Sequence, residues 1–309
     1  MKRQVLILTI LLLGASLRAQ QIPLSESYFM DKYSLMPSYA GNFDPGYIVT
    51  GYRSDWSGIK GGPKTLRISY SDLLPFMKNA GYGGKIIYDK AGIFNQLYIM
   101  GSYSYKVKIV NEHFIMFGLS MGIYHNTINL LDYYNDPTYN IDPSLINQDI
   151  KSKIKFMSDV SVLYNWQNLE AGFLFSNISF GNVSYKEVAL KYNPLSNFQF
   201  HATYNYDISD KWGVAPLMII RGGKYVKAQF ELAARAIYLK RIWGSIVFRD
   251  PGIFGFGIGG NIIKGLNISY NFNFASNVAL GAFNNHEVCI GFNIADYLGK
   301  KPDKPSVSQ

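Results

Sequence analysis

From about residue 46 onward the chain runs as segments of roughly ten residues that alternate apolar and polar side chains, each closed by a turn. The clearest sets Leu266, Ile268, Tyr270, Phe272 and Phe274 on one face and Asn267, Ser269, Asn271 and Asn273 on the other. Side chains switch face at every residue of a strand, so each segment has one greasy side and one wet side. Many such segments without intervening helix match an all-β fold: a transmembrane antiparallel up-and-down β-barrel whose apolar side faces lipid.

The first residues read as a secretory signal rather than as part of that fold. Lys2 and Arg3 form a basic start, Val5–Leu13 is apolar apart from Thr9, and Leu17-Arg18-Ala19 offers a cleavage site before Gln20. The apolar run is too short to span a bilayer as a helix, and no later stretch approaches the roughly 18 apolar residues needed. No lipoprotein cysteine follows the signal. An exported chain of this kind is either soluble and secreted or an outer-membrane barrel, and composition favours the barrel. Aromatic residues make up 16%, with 24 Tyr and 20 Phe, and charged residues only 17%, against about 25% in soluble domains. Tyrosine suits an interfacial girdle, with its ring in lipid and its hydroxyl in water.

Fourteen candidate strands follow: 46–56, 64–73, 82–90, 96–109, 113–125, 155–165, 168–179, 197–208, 212–220, 225–238, 241–249, 253–262, 266–276 and 286–294. Even-numbered strands end in short turns such as Val110-Asn111-Glu112, Trp166-Gln167 and Leu239-Lys240. Odd-numbered ones end in longer connections, notably 126–154, 181–196 and 277–285. Short periplasmic turns alternating with long outer loops is the asymmetry of such barrels, and it places both termini in the periplasm. The domain plan is therefore 1–19 signal peptide, 20–45 N-terminal periplasmic segment, 46–294 barrel and 295–309 polar periplasmic tail.

The two faces are plain in 225–238. Val226, Ala228, Phe230, Leu232, Ala234, Ala236 and Tyr238 are expected to face lipid, with Lys227, Gln229, Glu231 and Arg235 in the lumen. A charge at mid-bilayer on the lipid side costs about 2–4 kcal/mol, which fixes that orientation. The alternation is weaker in the glycine-rich stretch Gly252–Gly260, where the register is free to slip.

No catalytic constellation emerges, and no cofactor or metal site is expected. His113, His125, His201 and His286 fall at strand ends or loop edges and read as solvated or interfacial. His125 with Asp132 and Asp136 is the nearest approach to a rim catalytic group, without recognisable spacing. Asp132, Asp136, Asp142 and Asp149 lack the spacing of an EF-hand. Gly61-Gly62 and Gly83-Gly84 have no strand–loop–helix context and read as turn and bend glycines. Cys289 rules out an intramolecular disulfide and reads as a packing residue on the apolar face of the last strand, between Val288 and Ile290. Lumenal Lys106, Lys108, Lys227 and Arg235 either draw anions into an open pore or are neutralised by Glu231 and other inward acids in a plugged barrel. The formal charge of +9 includes Lys2, Arg3 and Arg18 of the leader, so the mature chain carries three fewer, +6. That surplus suits anionic headgroups and gives no nucleic-acid patch.

A set of short motifs runs in order along the chain. Met36-Pro37-Ser38-Tyr39-Ala40-Gly41 is close to N-P-A-Y-A-G, Tyr52-Arg53-Ser54-Asp55-Trp56 to Y-R-x-Q-W, and Gly62-Pro63-Lys64-Thr65 to G-A-P-x-T. Gly81–Gly84 and Asp89 follow, then Arg249 after Phe248, and Asn285-His286-Glu287-Val288 near the end. In these the chain resembles the PorP/SprF family of outer-membrane proteins, associated with type IX secretion and gliding motility in Bacteroidetes-type bacteria. Asp55 stands where that family usually has glutamine, and Gly62 where it has alanine.

The resemblance implies a non-enzymatic barrel that holds or delivers secreted substrates with C-terminal sorting domains, some of them adhesins. The implied partners are the periplasmic ring lipoprotein complex and outer-membrane lipid. It singles out Pro37, Tyr39, Ala40, Gly41, Arg53, Trp56, Pro63, Thr65, His286 and Glu287 as structural or partner-binding. Pro37, Gly41, Pro45 and Gly46 break regular structure, so that segment is expected to run irregularly at the periplasmic entrance, with Tyr39 against the barrel base. Parity sends Arg53 to the lumen and Trp56 to the outer interface. A passive porin or hydrophobic-solute channel shares every barrel feature, so periodicity does not separate it from a secretion adaptor.

Overall fold

The computed structural model describes residues 25–42, 45–129, 150–179, 183–185, 191–192, 196–223, 226–276 and 284–298. Fourteen antiparallel strands close into a barrel. They are β1 (Tyr47–Ser54), β2 (Lys64–Leu74), β3 (Met77–Ala91), β4 (Phe94–Val110), β5 (His113–Ile128), β6 (Lys155–Trp166) and β7 (Leu169–Ser179). After them come β8 (Asn197–Tyr204), β9 (Trp212–Gly223), β10 (Val226–Tyr238), β11 (Ile242–Arg249), β12 (Ile253–Ile263), β13 (Leu266–Ala275) and β14 (Asn284–Asn293). Each pairs with its chain neighbour, and β1 pairs with β14 from Tyr47↔Asn293 to Ser54↔His286. Closure leaves no free edge, which lipid would not tolerate. The fourteen expected segments each fall on one strand, in order. The largest boundary differences are at β3, which begins at Met77, and at β8, which ends at Tyr204 before a separate short pairing of Tyr206–Asp207 with β9.

The even-strand turns are tight because single residues take left-handed backbone: Asn111, Gln167, Leu239, Lys240 and Gly265 all have positive φ. Such conformations match the right-handed twist of a hairpin. Along β11 and β12, Ile246, Phe248, Phe254, Phe256 and Ile258 stand outside, while Ser245, Val247 and Arg249 turn inward. Trp166, Tyr204, Trp212 and Tyr238 mark the short-turn end with aromatic rings. The glycine-rich stretch keeps one register, from Ile253↔Ala275 to Asn261↔Asn267. Its glycines are there for space: a Cβ at Gly259 would strike the Trp243 ring, and one at Gly257 would strike Asn271 and Ser245.

Two sequence expectations need correction. Cys289 does not share a face with Val288 and Ile290; it points inward, buried, and its thiol donates to Ser27 Oγ at 2.8 Å. Strict alternation required this, because flanking residues always face the other way. His201 is not at a solvated edge but fully buried in the lumen.

The third difference is the largest. Residues 20–45 were expected at the periplasmic entrance, yet residues 25–42 lie inside the barrel, in three 3-10 turns at Ser27–Phe29, Lys32–Ser34 and Pro37–Tyr39. The segment is irregular, as its prolines and glycines require. It sits inside because the lumenal hydroxyls, amides and charges satisfy its backbone there. After Pro37, which opens the third turn, Tyr39-Ala40-Gly41-Asn42 forms a type II turn closed by Asn42 N–H on Tyr39 C=O at 3.1 Å. Its third position needs positive φ, and Gly41 has +67°. A side chain at Gly41 would run into the Asp72 carbonyl. The chain then leaves through Gly46 and starts β1 at the short-turn end. At the C-terminus a single helical turn, Ile294–Tyr297, follows β14; residues 299–309 of the expected tail and the whole expected signal 1–19 lie outside the described residues.

Candidate functional site

The plug and the wall around it form the candidate site. Toward the long-loop end it is held by ions. Arg249 donates from Nη2 to Glu26 Oε1 at 2.6 Å and from Nε to Glu231 Oε2 at 2.7 Å. Arg221 Nη1 meets the same Glu231 oxygen at 2.8 Å. Asn273 donates its amide to the other Glu26 oxygen. Glu287 accepts from the Glu26 amide at 2.8 Å, from Ser25 Oγ at 2.7 Å and from Arg67. Arg53 bonds Asp55 through Nε at 2.8 Å, with Nη1 at 3.4 Å from Glu26 and 3.5 Å from Glu287. Four guanidinium groups thus face four carboxylates. Full pairing is what lets charges be buried at all. Arg53, Arg249, Glu231 and Glu287 all come from inward strand positions, so the same alternation that makes the outside greasy assembles this cluster.

Toward the short-turn end the plug is held by close packing and hydroxyl contacts. Tyr33, Met36, Tyr39 and Ala40 pack against Met116, Leu163 and Leu174. The Tyr33 hydroxyl meets Ser102 at 2.7 Å, and Ser102 meets Ser120 at 2.6 Å. The Ser38 amide donates to Ser161 Oγ at 3.0 Å. Wall glycines let the backbone come this near, since a Cβ at Gly118 would strike Ser38 and one at Gly81 would strike Ala40. Tyr39 donates to Glu170 Oε2 at 2.8 Å, and Lys32 pairs with the other Glu170 oxygen at 2.6 Å. A hydroxyl has one proton to give, so the 2.8 Å contact from Tyr39 to His201 Nε2 requires that nitrogen to carry hydrogen. Burial, with Glu170 beside it, pushes the Tyr39 hydroxyl well above its usual range and keeps it protonated. Burial also raises Asp31, against the opposing hydrogen bond from Ser69 and the charge of Arg67.

The residues singled out from motifs separate by place. Pro37, Tyr39, Ala40 and Gly41 form the lower plug. Arg53 and Glu287 belong to the ionic cluster and sit directly opposite each other across the β1–β14 pairing. Thr65 donates to Asp89 at 2.6 Å on the lumenal side of β2 and β3. Trp56 and Pro63 lie in the outer turn, where the Pro63 carbonyl accepts from Asp55 and the Trp56 amide donates to Asn285. His286 faces outward and meets the Tyr270 hydroxyl at 2.7 Å, beside Phe272. Of the lumenal cations, Arg235 donates to the Phe29 carbonyl at 2.9 Å and covers its ring, and Lys106 stands 5.2 Å from the Phe114 ring centre. The rim candidates Asp132, Asp136, Asp142 and Asp149 near His125 lie outside the described residues. Sequence reading passed over Glu26, Asp31, Glu170 and Arg221. An excess of inward arginine and lysine together over inward acid was the available signal.

The family model for the type IX secretion system membrane protein PorP/SprF matches residues 17–292. The chain belongs to the PorP/SprF family. The matched residues take in the plug and all but the last residue of the barrel strands. No curated protein matches the sequence. Solved structures with similar barrels include the CymD monoaromatic hydrocarbon channel, at 11% identity, 89% of this chain, 93% of that chain and TM-score 0.49. The KdgM porin is similar at 9% identity, 80% of this chain, 98% of that chain and TM-score 0.38. A mutant of the Rh. blastica porin is similar at 10% identity, 80% of this chain, 98% of that chain and TM-score 0.33.

Proposed function

We propose that this family member is a non-enzymatic outer-membrane component of type IX protein secretion, closed at rest by its own N-terminal segment. The observation that carries the reading is the filled lumen: a passive porin needs a water path, and here residues 25–42 occupy it with buried, paired side chains. In this reading the leader 1–19 directs export, and the outer loops meet secreted substrates with C-terminal sorting domains. The periplasmic face, with the tail 295–309, meets the ring lipoprotein complex, and a role in gliding follows where the substrate is an adhesin. Pro37, Tyr39, Ala40, Gly41, Arg53 and Glu287 then serve to seat the plug and seal the barrel.

The test is gentle extraction of the tagged full chain from its native outer membrane and identification of what co-purifies. Ring proteins or a large sorting-domain substrate are expected. Recovery of the barrel alone, with steady conductance in a bilayer, would replace this reading with a channel.

A further inference from the structure

The hydrogen-bond ladder of the wall closes from β1 through β14 without any contribution from residues 25–42. In architectural terms the plug is a peptide bound to a finished barrel. The ionic cluster shows what it is bound by. Its cations, Arg53, Arg67, Arg221 and Arg249, all stand on strands; of its acids, Glu231 and Glu287 stand on strands and Asp55 just after β1. The fourth acid is Glu26. Without it the wall holds one buried guanidinium in excess, a strongly unfavourable state.

The place Glu26 fills is built for a carboxylate. Arg249 serves one oxygen and Asn273 the other. Arg53 is buried, and its Nη1, aimed between Glu26 and Glu287, makes no hydrogen bond. Glu26 is itself the N-cap residue of the Ser27–Phe29 3-10 turn, and its side chain caps nothing there, so the carboxylate is committed wholly to the wall. A cavity of about 160 Å³ adjoins it at Ser25 and contains Arg67, Arg221 and Lys227, with Asp31 and the Lys85–Asp159 pair deeper in.

We infer that Arg53, Arg249 and Asn273 form a carboxylate-binding site that Glu26 occupies in cis, and that an acidic peptide reaching it through this cavity exchanges with Glu26 and releases the plug. The inference stands apart from the secretion reading, because it needs no secretion partner. It is tested on the full-length protein in planar bilayers. Glu26→Gln keeps size and loses charge, and it is expected to raise the frequency of openings roughly a hundredfold over the rare openings of the parent protein. Added to the parent protein, a five-residue peptide with the sequence of Ser25–Phe29 is expected to displace Glu26 and raise openings as well, whereas the same peptide with glutamine for glutamate does not. A silent Glu26→Gln barrel, or two peptides that act alike, would overturn the site. Heat-modifiable migration on gels verifies that the barrel is closed. If Glu26→Gln loses it, Asn273→Ala leaves every charge in place and is read instead. It is expected to raise openings roughly tenfold, and silence there refutes the proposal equally.

Discussion

The two ends of the plug are held by different physics. At the Ser25–Ser27 end the contacts are charges on opposite partners, strong only while both are present. At the Tyr33–Asn42 end the contacts are shape, hydroxyl bonds and glycines that admit a neighbouring backbone. Loss of a partner at the first end leaves an uncompensated charge; loss at the second leaves a gap. The first end is therefore suited to exchange and the second to anchorage.

Four measurements sharpen or break that contrast. Arg249→Leu takes a partner from both Glu26 and Glu231 and leaves the cluster one positive charge short, and it should destabilise plug docking by about 3–5 kcal/mol. Amide hydrogen exchange is then expected to rise at residues 26–31 first and to leave Ser38 protected. Uniform exposure of the whole segment would erase the distinction. Met36→Ala opens a void at a side chain with no exposed surface. The expected loss is about 2–5 kcal/mol, read in denaturant unfolding and in exchange of the Ser38 amide. Tyr39→Phe leaves Glu170 without one donor and the His201 Nε2–H without its acceptor. It is expected to cost about 1–3 kcal/mol by the same readout.

Asp31→Asn should change stability at neutral pH by only about 0.5 kcal/mol, and its effect is on pH dependence. Burial raises the docked carboxyl above the ordinary carboxylate range. The docked form thus holds that proton more tightly than the released form. The contribution is fully present below the ordinary carboxylate value and fades as pH rises through the raised one. Plug docking measured by exchange should therefore tighten on acidification, and Asp31→Asn should flatten this part of the profile. An unchanged profile would remove Asp31 from the account.

The wall was legible from sequence because one rule governs it. In β13, Asn267, Ser269, Asn271 and Asn273 turn inward and Ile268, Tyr270 and Phe274 outward, as period-two alternation requires. The same rule read strictly also places Cys289 inside. The plug follows no such period. Tyr28, Tyr33, Met36 and Tyr39 are spaced for three separate 3-10 turns, so their burial leaves no stripe or alternation to read. His201 could be assigned to an inward position by parity, but its partner Tyr39 is 162 residues away. What the alternation did carry was the charge imbalance of the lumen, a demand for an acid from elsewhere in the chain.

The seam between β1 and β14 also dictates an order of events in time. Across that seam Arg53 faces Glu287, which also accepts from the Glu26 amide 261 residues away, and pairings this distant form late and slowly. The barrel is unsealed until its last strand has been made and delivered. The plug directly precedes β1, and its Glu26 amide binds Glu287, the residue that faces Arg53 across the seam. The pairing that closes the wall therefore also completes the upper seat of the plug, and a fault at the seam is felt in both.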